Sequence, residues 1–395
     1  MSNDKKIIAY VFSIFLFLGI CLSMLQRIVS EIGSSFALSN TSVGTIITMV
    51  FVGYLISPIL TGELTDKIGR KKVLLIAFSV LIGGLALVLL VDSVVAVGAG
   101  FFIIGMSFAV LELSMSSMLT DMHPNDAGKI LNLSRVFFAV GTVSGPFIAM
   151  LLINTTGKWV YSMLFALVLI TVLFAIFLKL SFPQTKYPNQ TITKHDAPSL
   201  TLGLLKNKVV LVLCVSMIMY LAIEAGITFY VSRYIDSITD NAVFSTLTLS
   251  VFWLCMAIGR FASTLYKKDP VKLVASIAVL ACIGLAVCLL VSGLAISIVS
   301  FGIMGLGCSA MFPTLLAIGK NNFPKYTNTI FGILLSAAGI GGIIQPLIMG
   351  AVADSSGLKA ALATVFAPLV LLFVTQIILL VFARKNKAVP EGQAE

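Results

Sequence analysis

The chain has 395 residues, of which 59% are hydrophobic and only 11% are charged, and its mean hydropathy is +1.09. A water-soluble domain needs far more charge to cover its surface, so this composition excludes a soluble protein. The net charge of +10 does not indicate a nucleic-acid-binding protein either, because the basic residues are scattered over short segments instead of being gathered on one soluble face.

Apolar runs of about 20 residues recur along the whole chain, and each is long enough to cross the hydrocarbon layer as an α-helix. Strands are excluded because an open sheet edge would leave backbone groups unpaired in lipid, and the alternating pattern of a β-barrel is absent. The first run is too long for the apolar core of a cleaved signal peptide. We therefore predict an all-α membrane protein with twelve transmembrane helices. The predicted spans are residues 7–29, 42–63, 73–91, 95–119, 131–154, 159–180, 207–233, 242–265, 272–292, 295–318, 327–353 and 358–383.

The longest hydrophilic stretch, residues 181–206, separates the sixth predicted span from the seventh. It contains prolines and no apolar period, which is typical of a linker. We predict an N-terminal six-helix bundle over residues 1–180, a cytoplasmic linker over 181–206, and a C-terminal six-helix bundle with a short cytoplasmic tail over 207–395.

An internal repeat with an offset of 200 residues supports this division. The segment "FFIIG" (101–105) matches "FGIMG" (301–305). Further aligned pairs are Gly141 with Gly341, Pro146 with Pro346, and Gly157 with Gly357. Parallel repeats of six helices are typical of two bundles that rock about a central binding site.

Lysine and arginine are distributed unequally between the two sides of the predicted bundle. If the N-terminus is cytoplasmic, twenty of the 26 basic residues lie on the cytoplasmic side and two lie inside spans. The remaining four, on the outer side, are Arg27, Lys158, Arg233 and Lys359. This bias predicts a multi-pass protein of the plasma membrane with both termini in the cytoplasm.

Residues 62–72 read "GELTDKIGRKK" and lie at the end of the second predicted span. The segment resembles the signature of the loop between spans two and three in the major facilitator superfamily, Gly-x-x-x-Asp-(Arg/Lys)-x-Gly-Arg-(Arg/Lys). The matching residues are Gly62, Asp66, Lys67, Gly69, Arg70 and Lys71. The resemblance implies the fold of that superfamily, with a site exposed alternately to each side. A charged loop that only enforces topology is the alternative.

We predict gating roles for Gly62, Asp66, Gly69, Arg70 and Lys71. Gly62 would let the second span approach a neighbour closely, and Gly69 would permit a tight turn. Asp66, at a helix end, can pair with the N-terminal dipole of a facing helix and so lock the inner side.

Arg260, at the corresponding place in the second half, is a further gating candidate. The alternative for this arginine is that its side chain snorkels to the headgroups on the inner side.

Four further segments are similar to one branch of the superfamily, the fucose–proton symporter and the bacterial glucose/mannose uptake proteins. They are "LELSMSS", "AGKILNLSRVFFAVGTVSGP", "YLAIEAGITFYVSRYI" and "VFWLCMAIGRF". The matching residues are Glu112, Asn132, Glu224, Trp253, Gly259 and Arg260. The resemblance implies a proton-coupled sugar transporter. Fucose symporters add an acid in span one, whereas this span holds none before Glu31 at its outer end, so facilitated diffusion stays open.

Glu112 lies in one of the most apolar stretches of the chain, "FAVLELSMSS" (108–117). A charge near the middle of the bilayer costs at least ~2.5–3.5 kcal/mol, so this carboxylate should face the bundle interior and have a partner. Span five runs antiparallel to span four, and Arg135 lies at a comparable depth. We predict that Glu112 and Arg135 pair in the closed site and that proton uptake by Glu112 frees Arg135 for substrate. A static ion pair that fixes helix packing is the alternative.

Glu224 is the only acid inside the seventh span, and Tyr220 lies one turn before it on the same face. We expect Glu224 to bind substrate or to take part in proton coupling. A sugar needs convergent hydrogen-bonding groups and an aromatic surface for its C–H faces. The neutral candidates for substrate binding are Gln26, Asn132, Tyr220, Tyr230, Trp253 and Gln345. For each, a helix–helix hydrogen bond or an interfacial anchor is the alternative.

Other functions have less support. Proton-coupled export of drugs or metabolites is the second hypothesis, because "GTVSGP" (141–146) resembles the Gly-x-x-x-Gly-Pro motif of multidrug exporters. The chain shows no nucleophile–base pair, metal-binding cluster or nucleotide-binding loop, so we expect no enzymatic activity, no cofactor and no metal. The expected partners are a small solute, a proton and membrane lipid, without nucleic acid, and we expect a monomer.

Overall fold

In the computed structural model of the chain, the described residues are 3–122, 127–180, 203–263, 265–266, 269–323 and 327–387. Within these ranges the chain is almost entirely helical and none of it forms a strand. The helices of the first half are α1 (Asn3–Ser35), α2 (Asn40–Ile68), α3 (Arg70–Leu90), α4 (Val94–Met122), α5 (Ala127–Thr156) and α6 (Val160–Lys179). Those of the second half are α7 (Lys208–Asp236), α8 (Ala242–Ser263), α9 (Pro270–Leu290), α10 (Leu294–Cys308), α11 (Met311–Asn322), α12 (Thr327–Ala363) and α13 (Phe366–Lys387).

These helices make twelve apolar crossings. α10 and α11 together form one crossing, Leu294–Asn322. α12 is interrupted at Gly357, whose backbone is not helical (φ 84°, ψ 168°), and the chain then returns through α13. The prediction of twelve transmembrane helices in two six-helix repeats is therefore confirmed.

Several helices extend beyond the predicted spans. α1 continues to Ser35 and α4 continues to Met122, six and three residues past the predicted ends. Hydropathy detects only the apolar middle of such a helix, whereas its hydrogen bonds continue into the polar region. The predicted linker, 181–206, lies outside the described residues except for 203–206.

The repeat is visible in the backbone as well as in the sequence. Gly157 and Gly357 both adopt positive φ, 73° and 84°, where the fifth and eleventh crossings end. Only glycine adopts such a conformation readily, so each of these turns requires it. Pro146 and Pro346 both lie inside helices, α5 and α12.

Two aligned glycines set equivalent helix contacts in the two halves. A Cβ atom at Gly141 would meet the carbonyl oxygen of Leu16, so α5 packs tightly on α1. A Cβ atom at Gly341 would meet the carbonyl oxygen of Ile218, so α12 packs tightly on α7. Small residues at such contacts let two backbones approach closely, which is how helices associate in lipid.

We call the end of the bundle at which α1 begins and α13 ends the terminal end, and the opposite end the far end. The halves meet mainly through three helix pairs: α1 with α7, α2 with α12, and α5 with α8. In the described residues, the hydrogen bonds between the halves lie from the middle of the bundle to the far end. Their first-half members are Gln26, Arg27, Ser30, Asn40, Thr41, Thr48 and Val143. The cleft between the halves is therefore closed at the far end.

Candidate functional site

An ion pair joins the fourth and fifth crossings. Arg135 Nη1 in α5 lies 2.7 Å from Glu112 Oε1 in α4. At 1.5 Å per residue, both residues lie about 12–15 Å from the terminal-end limits of their helices. The pair therefore lies well inside the bundle, in the half nearer the terminal end, where a charge without a partner would be costly.

Two aromatic side chains complete the surroundings of this ion pair. The Tyr54 hydroxyl in α2 donates a hydrogen bond to Glu112 Oε2 at 3.1 Å. The guanidinium carbon of Arg135 lies 5.3 Å from the centre of the Phe15 ring in α1, which is a cation–π distance. Each carboxylate oxygen of Glu112 thus has its own donor. We call Tyr54, Glu112 and Arg135 the first cluster.

The second half contains a similar tyrosine–glutamate contact. The Tyr220 hydroxyl donates to Glu224 Oε2, one turn further along α7. The Tyr220 ring centre lies 5.6 Å from that of Phe312 in α11. Among the residues whose side chains are described, no lysine or arginine nitrogen lies within 4.0 Å of the Glu224 carboxylate. We call Tyr220 and Glu224 the second cluster.

The two clusters lie near each other, although they belong to different halves. Glu112 and Glu224 are close enough for their charges to interact, and so are Arg135 and Tyr220. The side chains of Arg135 and Glu112 are 36% and 21% exposed although both lie deep in the bundle. Exposed surface on side chains at this depth indicates an unfilled space beside the ion pair. The predicted acids and Arg135 thus lie around one space.

Arg260 contacts the break in the tenth crossing. α10 ends at Cys308 and α11 begins at Met311. Pro313 has no N–H with which to bond the carbonyl of Ser309, four residues earlier. Arg260 Nε donates to that carbonyl oxygen at 2.9 Å instead. The guanidinium therefore stabilises the backbone at the break, and its Nη2 also lies 3.2 Å from Met256 Sδ.

Gln26 and Trp253, two predicted binding residues, bond to each other between the halves. Trp253 Nε1 in α8 donates to Gln26 Oε1 in α1 at 3.0 Å, and Gln26 Nε2 donates to Thr228 Oγ1 in α7 at 3.0 Å. The exposure of Gln26 is 2% and that of Trp253 is 3%. In this conformation the three side chains close the cleft on its far side.

Of the three other predicted binding residues, two bond to groups outside the clusters and the third has a side chain that the structure does not describe. The Tyr230 hydroxyl is buried and donates to the carbonyl oxygen of Pro346 at 2.9 Å. Gln345 is buried and its Nε2 donates to Thr364 Oγ1 at 2.9 Å. Asn132 belongs to α5, but the surroundings of its side chain lie outside what the structure describes.

The predicted gating segment forms the connection between α2 and α3 at the terminal end. Gly69 has a φ of 84° and makes the turn between the two helices. Arg70 begins α3, and Lys71 is exposed. Gly62 and Asp66 belong to α2, and their side-chain positions lie outside the described part of the chain.

Two side chains of this region were not anticipated from the sequence. Tyr54 gave no signal, because a tyrosine inside an apolar run is usually an ordinary packing residue. Arg27, which the charge count placed on the outer side, is only 1% exposed and lies between the halves. Its Nε donates to Thr246 Oγ1 at 3.0 Å, and its Nη1 lies 3.3 Å from Glu31 Oε1. The spacing of Arg27 and Glu31, four residues apart, is the signal that could have indicated this pair.

Comparisons with known proteins identify related chains. The family model described as the Major Facilitator Superfamily matches residues 11–325. A glucose/galactose transporter of Brucella abortus biovar 1 (strain 9-941) is 26% identical over 353 residues, which cover 85% of this chain and 84% of that relative. The L-fucose-proton symporter of Escherichia coli (strain K12) is 23% identical over 392 residues, which cover 88% of this chain and 87% of the symporter.

A solved structure has the same fold. The crystal structure of the nucleoside transporter NupG matches with a TM-score of 0.74 at 15% sequence identity, covering 94% of this chain and 99% of that one. The arrangement of all twelve crossings is therefore shared.

Proposed function

Because this chain belongs to the Major Facilitator Superfamily, we propose that it carries a sugar, a hexose or deoxyhexose, across the plasma membrane by alternating access and with coupling to protons. The observation that supports this most is the 2.7 Å ion pair of Glu112 with Arg135, partly exposed deep in the bundle, with Glu224 of the other half near enough to interact with Glu112. A solute bound between them would contact both halves, so that binding and rocking would be linked. The names of the glucose/galactose and fucose–proton relatives support the solute class.

The chemistry of the two clusters suits a neutral polyol. Carboxylate oxygens of Glu112 and Glu224 accept hydrogen bonds from sugar hydroxyls, and the Arg135 guanidinium donates them. The ring of Phe312, which contacts Tyr220 and is only partly buried, offers apolar surface to the C–H faces of the sugar.

Glu112 and Arg135 are the proposed coupling pair. A proton that binds the Glu112 carboxylate removes the negative charge from the 2.7 Å contact with Arg135, and the ion pair weakens. Arg135 then donates its N–H groups to the solute. When the proton leaves on the other side of the membrane, Glu112 attracts Arg135 again and the solute loses its donor. Proton and solute therefore move in the same direction.

We assign the terminal end to the cytoplasm, because most of the basic residues lie there. The conformation described above is then closed to the outside, with its cleft directed to the cytoplasm. An inward proton gradient would drive such a symporter in the direction of uptake.

The motif that suggested an exporter has an explanation in packing. A Cβ atom at Gly141 would meet the carbonyl oxygen of Leu16, and one at Gly145 would meet Ser23 Oγ. Both glycines therefore serve the tight contact of α5 with α1 inside the first half. The segment "GTVSGP" gives no separate support to export.

Transport into proteoliposomes tests the proposal. Glucose, galactose, mannose and fucose would each be offered with and without an inward proton gradient, and protein-free liposomes would serve as the control. We expect at least one sugar to accumulate above its external concentration only when the gradient is present. Uptake that is equal without the gradient would indicate facilitated diffusion. Transport of a parallel panel of drug dyes, with no sugar uptake, would favour the exporter.

A further inference from the structure

The far end of α2 is held by a carboxylate from the other half. The first N–H groups of a helix have no partner inside the helix. Ser39 Oγ accepts the N–H of Ser42 at 3.2 Å. The N–H groups of Asn40 and Thr41 instead donate to Asp354 Oδ1 and Oδ2, at 2.6 and 2.7 Å. Asp354 belongs to α12, so the first turn of α2 is capped across the boundary between the halves.

Two further contacts hold the same end of the bundle. Arg233 Nη2 in α7 donates to Asn40 Oδ1 at 2.6 Å. Ser30 in α1 donates to Asp236 Oδ2 at the end of α7, at 2.7 Å. Asn40 is therefore bound by two helices of the second half, and none of these bonds could survive separation of the halves at the far end.

Because α2 and α12 run in opposite directions, the Asp354 contact exists at only one end of this helix pair. α2 runs from the far end to the terminal end, and α12 runs the opposite way. Asp354 lies near the far end of α12 and meets the N-terminus of α2. Asp66 lies near the terminal end of α2, where α12 begins at Thr327. Each helix of the pair thus carries one acid toward its C-terminal end, on the side where its partner begins.

We propose that Asp354 is a positioning residue of the transport cycle, which stabilises the conformation closed at the far end by capping α2. The expectation from the sequence is that Asp66, toward the other end of α2, acts in the opposite sense when the terminal end is closed. Rocking of the halves breaks one cap as it makes the other, so the two acids set the balance between the conformations. This role does not depend on which solute is carried.

The distance between the halves at the far end tests this role directly. Spin labels would be placed on cysteines introduced at Lys158 and Asp240, which are exposed at the far end of opposite halves, in a variant whose six native cysteines are replaced. Double electron–electron resonance without solute would then report the fraction of molecules open at that end. This readout is separate from the transport assay. The proposed sugar transport and the proposed role of Asp354 can therefore fail independently.

We expect Asp354→Asn to raise the open fraction about three- to tenfold, because a cap of this kind stabilises a helix end modestly. The open fraction of Asp354→Glu should lie between those of wild type and Asp354→Asn. Asp92 is an exposed acid in the α3–α4 connection at the same end, and Asp92→Asn should not change the distance distribution. Asp66→Asn should leave the fraction open at the far end equal to or below that of wild type. It should also raise the fraction of molecules that are open at the terminal end. In the double variant, Asp354→Asn with Asp66→Asn, the balance should return toward wild type.

The proposal is overturned if Asp354→Asn gives the same distance distribution as Asp92→Asn. It is also overturned if Asp66→Asn opens the far end as Asp354→Asn does, because two opposed caps cannot shift one equilibrium in one direction.

Discussion

At the scale of single residues, Glu112 and Glu224 differ in the group that binds each carboxylate. Glu112 is paired with the guanidinium of Arg135 at 2.7 Å. Glu224 is bound by the hydroxyl of Tyr220. Neutralising Glu112 therefore also frees Arg135 to move away from it. Neutralising Glu224 frees no cation at salt-bridge distance among the side chains that the structure describes. We expect the two acids to affect different steps of transport.

Replacement of Glu112 by glutamine should uncouple the proton from the solute. The amide cannot take up a proton, so the contact with Arg135 no longer responds to pH. We expect gradient-driven accumulation in proteoliposomes to fall at least about tenfold, as the loss of one charged partner in such a pair implies. Exchange of labelled for unlabelled sugar should persist. Normal pH-dependent accumulation by Glu112→Gln would contradict the coupling role, and Asp240→Asn is the control for a neutralised exposed acid.

Replacement of Glu224 by glutamine should weaken solute binding. A hydrogen bond to a charged group contributes about 1.5–3 kcal/mol, so the KM for the transported sugar should rise about ten- to a hundredfold. The dependence of uptake on pH should keep its shape. Tyr230→Phe is a matched control on the same helix, because the Tyr230 hydroxyl bonds the Pro346 carbonyl inside the second half. An unchanged KM in Glu224→Gln would remove this residue from the binding site.

The sequence allowed the Glu112–Arg135 contact to be predicted because helix geometry fixes depth. Two antiparallel helices joined by a short connection bring residues at equal depth together, and an apolar surrounding demands a partner for each charge. The burial of Arg27 between the halves could not be predicted in this way. It depends on how two bundles meet, and hydropathy within one helix contains no information about that contact.

At the scale of helices, glycine positions decide which pairs approach closely. Gly141 faces the backbone of α1 and Gly341 faces that of α7, whereas a Cβ atom at Gly83 in α3 would meet nothing within 4 Å. The same residue type therefore has opposite consequences in different helices.

Alanine substitution should reveal this difference. Gly141→Ala and Gly341→Ala should each lower thermal stability in detergent, because overpacking of a tight contact costs about 1–3 kcal/mol. Gly83→Ala should leave stability unchanged or raise it, since alanine favours helix by about 0.5–1 kcal/mol at an open site. Fluorescence-detected chromatography after heating measures all three. Equal stability of Gly141→Ala and Gly83→Ala would show that the α1–α5 contact tolerates a methyl group.

Helix existence and order could be predicted because each crossing is a long apolar run, but the helix ends could not. α1 and α2 continue to Ser35 and Ile68, beyond the apolar residues that mark their spans. The break between α10 and α11 was not predicted, although Pro313 gave a sign of it. Proline is common inside transmembrane helices, as Pro146 in α5 demonstrates, so its presence alone does not locate an interruption.

At the scale of the whole molecule, transport requires that the far end open and close. Asn154 at the end of α5 and Asp240 before α8 border one depression at that end, although they belong to different halves. The halves must separate there whenever the site faces the far side.

A reversible bridge across this depression should stop transport. With cysteines introduced at Asn154 and Asp240 and the native cysteines replaced, a bifunctional thiol reagent should abolish sugar uptake, and reduction should restore it. Each single cysteine treated in the same way is the control and should keep its activity. Undiminished uptake by the bridged protein would show that the far end does not need to open.

The division into two halves could be predicted from the internal repeat with its offset of 200 residues, because the two copies keep glycine and proline at the same places. Gly157 and Gly357 both have positive φ, as the aligned sequence suggested. The conformation of the whole molecule could not be read from it. The same sequence must allow the conformation closed at the far end and the conformation closed at the terminal end. No residue pattern therefore specifies which of the two a given structure shows.

The interrupted tenth crossing makes the two duplicated copies mechanically unequal. α4, its counterpart, is one uninterrupted rod from Val94 to Met122. In the second copy the helix is interrupted at Ser309 and Ala310, and Arg260 donates a hydrogen bond to the backbone at this break. We therefore expect the second half to bend more easily at this place than the first, so that the two halves contribute unequally to any change of shape around the site.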